Sequence, residues 1–518
     1  MLTKVFNFAL LFFFFIFTLG AEVFSTQELK ERFEKNIRKY RLQNGLRIIL
    51  MRNGISPSLA LYLKIGVGSA DEPLEAMGVA HFLEHLLFKG TTKIGTLDYR
   101  QEEPYLQQIF TEGERLDELS LQLLNPLLTQ EQKSLLEKEK KKAEERLHMW
   151  EKLASRFVIS EEDSQIYNLA GQVGYNAYTT TDVTNYQIKL PSNRLELWAA
   201  MESDRFLEPV FREFYAERRV ILEERRLRYD TKPFGLLYEL YLSTAFGLSA
   251  YGKPVIGYPQ NIPYLTYSQT RRFFEEHYHP SQMVIAVVGN LDFEETYKIL
   301  EKYFSRLPAG KPPSFVPISS LPQKGRRLAW LEQDSTPQFI TGFKRPSVHH
   351  PDAIAFEVLA RLLGEGQTSR LKKRLVLDEK IASQVIVYSS VPGDKLETTF
   401  AIFCSLYSEK HYELAEKAIW DELEKVANGT IDPRELEKIK NGYIVDLLET
   451  LQTNAGLADN LSYYELMFGD YRVFYRFLDE LNKLHVDDLA RVAREYFVME
   501  KNTTVYVKPI NRDSRGVR

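Results

Sequence analysis

The chain has 518 residues, of which 44% are hydrophobic and 27% charged, and its formal net charge is −4. This length suits two or more domains with substantial cores. The near balance of charge argues against nucleic-acid binding and against a protein that works on a membrane surface. Cys404 is the only cysteine in the sequence, which excludes an intrachain disulfide and a cluster of thiolate metal ligands.

The first 21 residues have the pattern of a secretory signal peptide. Lys4 precedes an apolar run over residues 5–19, and the small residues Gly20 and Ala21 follow that run. A retained membrane anchor is the alternative, but about 15 apolar residues is short for a hydrocarbon layer of roughly 30 Å. We therefore expect export to the periplasm or another extracytoplasmic space, with no stable membrane anchor after the signal is cleaved.

Strand and helix patterns follow one another after this segment. Asn44 and Gly45 lie between two extended apolar runs, which predicts a tight hairpin. The pattern then predicts a strand beginning near residue 58 and a helix over about residues 77–89.

Residues 97–170 differ in character from the chain on either side. Apolar residues recur there at helical spacing up to Asn125 and Pro126. Thr129 and Gln132 then have the spacing of a capping box that starts a second helix. We interpret this segment as a helical hairpin inserted into the N-terminal domain, with its many charges on a solvated face.

The proline-rich residues 306–325 predict a linker. Beyond it the order of strands and helices begins again, and "RLLGEG" at residues 361–366 can be aligned with "HLLFKG" at residues 85–90. This weak repeat predicts an α+β protein of two homologous domains, residues 22–305 and 326–518. Each domain would have a mainly antiparallel sheet with helices packed on one side.

The predicted helix near residue 80 carries an unusual group of polar residues in "AHFLEHLLFKGT". Residues three and four apart share a helix face, so His81, Glu84 and His85 would lie together. The two imidazoles could bind one zinc ion, and Glu84 could accept a proton from a water molecule on the metal. The alternative is a pair of ordinary histidines, hydrogen-bonded on a partly buried helix.

A catalytic zinc normally needs a third protein ligand. In "FYAERRVILEERRLRYD", Glu217 and Glu224 are seven residues apart and share one face of a predicted helix. One of them could bind the metal while the other steadies a histidine. A helix so rich in charge is, by itself, more often simply solvated.

Four segments together resemble a known family. "GVAHFLEHLLFKGT", "YNAYT", "ERRVILEE" and "HYHPSQMVIAVVGNLD" occur in the order found in the pitrilysin/insulinase metallopeptidases. By size, the nearest branch is the one that contains the mitochondrial processing peptidase and its bacterial relatives. The resemblance covers nearly all of the chain after the signal.

The resemblance implies a clam-like peptidase chamber enclosed by a catalytic N-terminal domain and a non-catalytic C-terminal domain. It implies one zinc ion held by His81, His85 and Glu224, with Glu84 as general base and Glu217 as the acidic residue that supports the site. It also implies that an edge strand binds the substrate in extended form, as strand addition would allow. The strand residues concerned are Asn176, Ala177 and Tyr178.

The chain departs from the family pattern in two places. The stretch between His85 and Glu224 is longer than usual, and the predicted hairpin accounts for the excess. Val376 and Ser383 stand where complete family members carry an arginine and a tyrosine that hold the substrate and its oxyanion. Either another residue replaces these donors, or a related partner subunit supplies them, and we expect a heterodimer of the second kind.

The sequence therefore predicts an exported zinc endopeptidase that hydrolyses peptides or unfolded polypeptide segments. One alternative is an impaired or non-catalytic subunit of a heteromeric processing or chaperone-like complex. Another is a peptide-binding protein with a structural zinc, which would need a fourth protein ligand in place of water.

Overall fold

The computed structural model describes residue 31 and residues 33–54, 56–311 and 322–510. The predicted signal peptide and residues 312–321 of the predicted linker lie outside the described residues. Helices and two separate sheets make up the described chain, which confirms the predicted α+β class. Among the described helices, none is both long enough and apolar enough to cross a bilayer.

The first sheet has six strands in the order β1-β2-β6-β3-β5-β4, and only the β2–β6 pair is parallel. Gly45, with φ +98°, makes the turn between β1 and β2, so the predicted hairpin is confirmed. The strands are β1 (Ile37–Arg41), β2 (Arg47–Arg52), β3 (Ser58–Ile65), β4 (Val173–Thr179), β5 (Thr184–Pro191) and β6 (Met283–Gly289).

The second sheet has five strands in the order β7-β11-β8-β10-β9, and only the β7–β11 pair is parallel. Apart from the extra strand β1, this order and these directions repeat those of the first sheet. The weak sequence repeat therefore reflects two halves of the same topology. The strands are β7 (Arg327–Gln333), β8 (Gln338–Arg345), β9 (Ala382–Val391), β10 (Thr398–Leu406) and β11 (Asn502–Pro509).

Fifteen α-helices that have both ends in the described part of the chain surround the two sheets. Those of the first half are α1 (Val79–Leu87), α2 (Tyr99–Gln122), α3 (Gln130–Ala154), α4 (Glu162–Leu169), α5 (Leu195–Leu207), α6 (Phe214–Arg225), α7 (Pro233–Phe246), α8 (Tyr267–His277) and α9 (Phe293–Phe304). Those of the second half are α10 (Ala353–Gly364), α11 (Tyr412–Ala427), α12 (Pro433–Leu451), α13 (Asn454–Phe468), α14 (Val473–Lys483) and α15 (Val486–Tyr496).

Most helices of each half cover one face of their own sheet, as predicted, and bury the main apolar core of that half. The other face of each sheet is covered by a helix from the opposite half. On α13, Leu457 and Leu461 pack against Tyr62 of the first sheet. On α7, Leu237 and Tyr241 pack against the second sheet. This exchange of helices joins the two halves, because each exchanged helix forms an apolar core with the sheet that it covers.

Helices α2 and α3 form an antiparallel pair that begins close to the end of α1. The second of them starts at Thr129, whose side chain accepts a hydrogen bond from the Gln132 backbone while Gln132 bonds back to Thr129. Deeper in the pair, the buried carboxylate of Asp117 on α2 accepts hydrogen bonds from Arg218 on α6 at 2.9 and 3.0 Å. The pair therefore supports the face of α6 that is turned away from α1.

Candidate active site

The start of α1 is held by a carboxylate from outside the helix. Gly78 is the N-cap residue, at φ +97°, and brings no side-chain cap. Glu72 supplies the cap instead, accepting hydrogen bonds from the backbone N–H groups of Gly78 at 3.0 Å and Ala80 at 2.9 Å. A Cβ atom at Gly78 would lie 2.8 Å from the carbonyl oxygen of Ile256, so only glycine fits this turn. The register of α1, and with it the direction of its polar face, is thus fixed at its first residue.

Glu72 is fully buried beside a buried lysine. Burial raises the pKa of Glu72 to about 7, although Lys253 and the two backbone hydrogen bonds oppose the rise. The Nζ atom of Lys253 lies 3.9 Å from the Glu72 carboxylate and donates to the Glu72 carbonyl at 3.1 Å. The favourable position of a carboxylate at a helix N-terminus offsets part of the cost of its burial.

Helices α1 and α6 bring His81, His85 and Glu224 together. The Oε2 atom of Glu224 lies 3.7 Å from Nε2 of His81 and 3.4 Å from Nε2 of His85. One ligand atom from each of the three residues lies within 4.8 Å of the other two. On α6, Phe214 and Ile221 belong to the apolar core. Glu217 and Glu224 each follow one of them by three residues and lie on the neighbouring face, which turns toward α1.

This group of three has the donors of a catalytic zinc site. The Oε2 atom of Glu224 is buried and accepts no hydrogen bond from any described residue. A buried carboxylate oxygen without a donor is costly unless a cation neutralises it. Two imidazole nitrogens and one carboxylate oxygen are a common zinc set, and in the described chain no fourth histidine, cysteine, aspartate or glutamate joins the group. The residues present therefore fit zinc with one open position.

The two histidines differ in their surroundings. Burial, with smaller effects of His85 and Arg228, lowers the pKa of His81 to about 3, so its imidazole is neutral. Burial also opposes charge on His85, but the hydrogen bond and charge of Glu217 outweigh it and raise its pKa. The Nδ1–H of His85 donates to the Glu217 carboxylate at 2.9 Å, so Nε2, which lies 3.4 Å from Glu224, is the nitrogen that can bind a metal when the ring is neutral.

Glu217 is held by two partners, His85 on α1 and Lys89 just after α1 ends. The Nζ atom of Lys89 lies 2.7 Å from the second carboxylate oxygen of Glu217 and 3.0 Å from Glu213. Burial would raise the pKa of Glu217, but the hydrogen bonds from His85 and Lys89 bring it below its usual value. Glu217 is thus an anion that orients His85 and is itself held in place.

Glu84 lies on the same helix but outside the group of three. It is 7% exposed, and its Oε2 atom accepts a hydrogen bond of 2.5 Å from Thr179, the last residue of β4. Burial raises the pKa of Glu84, and the nearby Glu224 carboxylate adds to the rise, while the hydrogen bond from Thr179 opposes it. A carboxylate with a raised pKa, beside two metal-type imidazoles, is suited to accept and return a proton.

The predicted substrate strand is the edge strand of the first sheet. Asn176, Ala177 and Tyr178 pair with β5 on one side, and no other described strand pairs with β4. The Tyr178 hydroxyl accepts a hydrogen bond of 2.9 Å from Lys64, which also binds Asp459 of α13. The Tyr178 side chain therefore anchors the strand from the face away from Glu84, and only its backbone faces the open edge.

A cavity of about 430 Å³ adjoins Glu84 and His85. Its walls include Phe88, Ala177 and residues 158–164, which run from the loop after the α2–α3 pair into the first turn of α4. The cavity is large enough for one amino-acid side chain next to the group of three.

Val376 and Ser383 lie in the second half of the chain. Val376 sits in a π-helical turn and packs against the second core, and Ser383 is an exposed residue of β9 whose hydroxyl donates to the Ser405 carbonyl. Neither residue makes a described contact with His81, Glu84, His85 or Glu224.

Three residues at the site were not singled out from the sequence. Arg228 follows Glu224 by four residues, so helical spacing alone could have indicated that contact. Lys89 contacts Glu217 across the two helices, which spacing along one helix does not indicate. Glu72 gives no such signal, because it reaches the helix across a loop whose path the sequence pattern does not fix.

Comparison with known proteins identifies the family. The insulinase family, peptidase family M16, matches residues 47–103 and 147–258, and the peptidase M16 inactive domain matches residues 264–443. The unmatched stretch, residues 104–146, falls within the α2–α3 pair.

Similar proteins and structures agree with this match. The chain is 28% identical over 504 residues to the zinc protease PqqE of Helicobacter pylori, covering 95% of this chain and 96% of that protein. It is 26% identical over 465 residues to the uncharacterized zinc protease YmxG of Bacillus subtilis, covering 89% and 96%. The crystal structure of a protease from Helicobacter pylori superposes with a TM-score of 0.74 at 25% identity, covering 91% of this chain and 99% of that one. The periplasmic protease PqqL of Escherichia coli has a TM-score of 0.66 at 19% identity, covering 93% of this chain and 48% of that one.

The two family models match the chain in order, together over residues 47–443 apart from 104–146 and 259–263, and the proteins similar to it over nearly its full length are named as zinc proteases. The chain therefore belongs to the pitrilysin/insulinase family of metallopeptidases, peptidase family M16.

Proposed function

We propose that this protein is a zinc-dependent endopeptidase that hydrolyses peptides or unfolded polypeptide segments. The observation that carries the proposal is the convergence of His81, His85 and Glu224 on one point, with an unpartnered carboxylate oxygen among them. These three residues would hold one zinc ion per chain, and zinc, when bound, supplies Lewis-acid chemistry that makes water a better nucleophile at neutral pH.

Glu84 is the general base in this proposal. It takes one proton from the attacking water as the water oxygen bonds to the carbonyl carbon of the peptide, and the carbonyl π electrons move onto the oxygen. Glu84 then returns that proton to the amide nitrogen as the C–N bond breaks, so the products are a carboxylic acid and an amine. The raised pKa of Glu84 and its hydrogen bond from Thr179 suit it to both transfers.

The substrate would bind as an added strand on the outer edge of β4. Backbone groups of Asn176, Ala177 and Tyr178 face that edge, and main-chain hydrogen bonds there give affinity with little dependence on sequence. The adjoining cavity would take a side chain next to the cleaved bond. Folded proteins do not offer such an extended segment, which is why we expect peptides and unfolded segments as substrates.

Export and a partner subunit belong to the same proposal. The apolar segment at residues 5–19 supports a cleaved signal at residues 1–21, and a structural neighbour is described as a periplasmic protease.

In the mature chain, residues 22–305 would form the catalytic domain, with the α2–α3 pair as an insertion at about 97–170. Residues 306–325 would form the linker, and residues 326–518 the non-catalytic domain. Because Val376 has an apolar side chain and the Ser383 hydroxyl donates to the Ser405 carbonyl, a related subunit in a heterodimer would supply an arginine and a tyrosine.

The test uses the mature protein from residue 22, as wild type and as Glu84→Gln. Zinc content and cleavage of a pool of unstructured peptides are measured for both. We expect zinc in both proteins and cleavage by the wild type alone, because the substitution removes the base but no metal ligand. Zinc in both with cleavage by neither would instead support a subunit that needs a partner for activity. Equal cleavage by both proteins would exclude Glu84 as the base.

A further inference from the structure

Hydrolysis of a peptide places negative charge on the carbonyl oxygen, and a hydrogen-bond donor aimed at that oxygen is usually a large part of catalysis. The candidate site is rich in acceptors, since Glu84, Glu217 and Glu224 are all carboxylates. Val376 and Ser383 offer no contact to it. If the proposed function holds, the site needs a hydrogen-bond donor for the carbonyl oxygen of the cleaved peptide.

Arg228 is the one cation that directly contacts any of His81, Glu84, His85 and Glu224 within the described residues. Its Nη2 atom lies 3.0 Å from Oε1 of Glu224, the oxygen that does not face the histidines. The Arg228 side chain is 69% exposed, whereas that of Glu224 is 17% exposed. A guanidinium group has five N–H donors, so this ion pair with Glu224 leaves donors for a second acceptor.

The backbone at Arg228 departs from the regular helix. Residues Arg226–Asp230 continue α6 as a π-helical turn, closed by a hydrogen bond from the Thr231 N–H to the Arg226 carbonyl. Such turns are rare, and those within α-helices are frequent at functional sites.

The charge of Arg228 also reaches the residues of α1. It adds to the low pKa of His81, after the larger effects of burial and of His85. It opposes the rise in the pKa of Glu84 that burial causes. Arg228 therefore influences His81 and Glu84 electrostatically, in addition to its direct ion pair with Glu224.

We propose that Arg228 is a catalytic residue whose guanidinium group hydrogen-bonds the carbonyl oxygen of the cleaved peptide and holds its developing negative charge. The planar fork of arginine can bind Glu224 and the substrate oxygen at the same time, which a lysine ammonium does less well. A partner subunit would then contribute to substrate binding, while the oxyanion donor comes from this chain.

The competing explanation is an ordinary helical ion pair, in which Arg228 only orients Glu224. The neighbouring pair Arg226–Glu223, at 2.9 Å, has the same chemistry on the same helix but no described contact with the metal group. Arg226→Met is therefore a matched control for Arg228→Met, and Arg228→Lys tests whether charge without the fork is enough.

The experiment measures three affinities in the zinc-loaded mature protein. The first is for an alanine-rich phosphinic peptide, in which a tetrahedral –PO2⁻–CH2– group replaces one peptide bond. The second is for the corresponding ordinary peptide, measured in the Glu84→Gln background so that it is not cleaved. The third is for zinc, by competition with a chromogenic chelator.

For Arg228→Met we expect the phosphinic peptide to bind about 100-fold more weakly, and any cleavage rate to fall by about 100- to 1,000-fold. Affinities for zinc and for the ordinary peptide should stay near those of the wild type. Arg228→Lys should recover part of the loss, and Arg226→Met should behave as wild type.

Unchanged affinity of Arg228→Met for the phosphinic peptide would overturn the inference and leave the proposed function standing. A loss of zinc affinity in step with the loss of phosphinic-peptide affinity would also overturn it, because Arg228 would then act through Glu224. If the wild type bound neither zinc nor the phosphinic peptide, the proposed function would fall and this inference with it.

Discussion

At the scale of single residues, the proposed metal ligands differ in the hydrogen bonds that their side chains already make. His85 donates its Nδ1–H to Glu217, and Glu217 is in turn held by Lys89. This chain of contacts fixes the tautomer of one proposed ligand before any metal binds. His81 has no equivalent support, since its Nδ1 atom is buried and has no hydrogen-bond partner among the described residues. The metal affinity of the site should therefore depend strongly on Glu217.

The first prediction follows from that difference. Glu217→Gln should lower zinc affinity by roughly 10- to 100-fold, because the amide orients His85 less firmly and lacks the charge that favours the metal-bound imidazole. The measurement is competition with a chelator of known zinc affinity. Glu223→Gln is the control, since Glu223 lies on the same helix but its side chain is 64% exposed and pairs with Arg226. Equal zinc affinities for the two variants would contradict the role given to Glu217.

At the scale of elements, α1 is positioned by a cap that comes from outside the helix. The buried Glu72 has a pKa of about 7, well above its ordinary value of 4.5. An acid whose pKa is raised on folding gives the folded state a stability that is full below pH 4.5 and is lost as pH rises through about 7. That contribution is at most about 3 kcal/mol.

The second prediction concerns this pH dependence. Between pH 4.5 and 7 the stability of the wild type should fall more steeply with pH than that of Glu72→Gln, which cannot titrate. Urea midpoints at several pH values measure the difference. Glu75→Gln serves as the control, because the Glu75 side chain is 59% exposed. Parallel pH profiles for the wild type and Glu72→Gln would mean that Glu72 titrates as it does in the unfolded chain.

The α2–α3 pair is joined to α6 by a buried ion pair, and this gives the third prediction. Asp117→Asn should destabilise the protein by about 3–5 kcal/mol, because it leaves the Arg218 guanidinium buried without its counter-charge. Glu118→Gln breaks an exposed pair with Arg115 and should cost less than about 1 kcal/mol. Thermal and urea unfolding of the two variants make the comparison. A small effect of Asp117→Asn would show that the pair does not brace α6.

At the scale of the whole molecule, the exchange of α7 and α13 makes each half depend on the other. Leu461, on the face of α13 that packs against the first sheet, is 0% exposed. Removing that side chain would leave a cavity between the halves.

The fourth prediction tests this dependence. Leu461→Ala should lower the free energy of unfolding by about 2–5 kcal/mol, as for other buried leucines. Leu448→Ala, at a position 36% exposed on α12, should have a much smaller effect. Differential scanning calorimetry would show both. If Leu461→Ala left the unfolding of the first half unchanged, α13 would not be part of its core.

The sequence predicts what local periodicity controls and fails where distant segments meet. The four-residue spacing of His81 and His85 and the seven-residue spacing of Glu217 and Glu224 place side chains on helix faces, and the structure brings those faces together. The cap from Glu72 and the contact between Lys64, Tyr178 and Asp459 join residues that are far apart in the chain. Nothing in the pattern of either segment indicates its partner. The exchange of helices between the halves is unpredictable for the same reason, because an apolar helix face does not specify which sheet it will cover.

The most direct test of the account is the zinc content of the mature protein after dialysis against zinc and then against buffer, measured by mass spectrometry of the metal. The wild type should retain one zinc per chain, and so should His148→Ala, which replaces a histidine whose side chain is 83% exposed. His85→Ala and Glu224→Gln should retain almost none. A wild type without zinc, or full zinc in His85→Ala and Glu224→Gln, would contradict the site on which the proposed function depends.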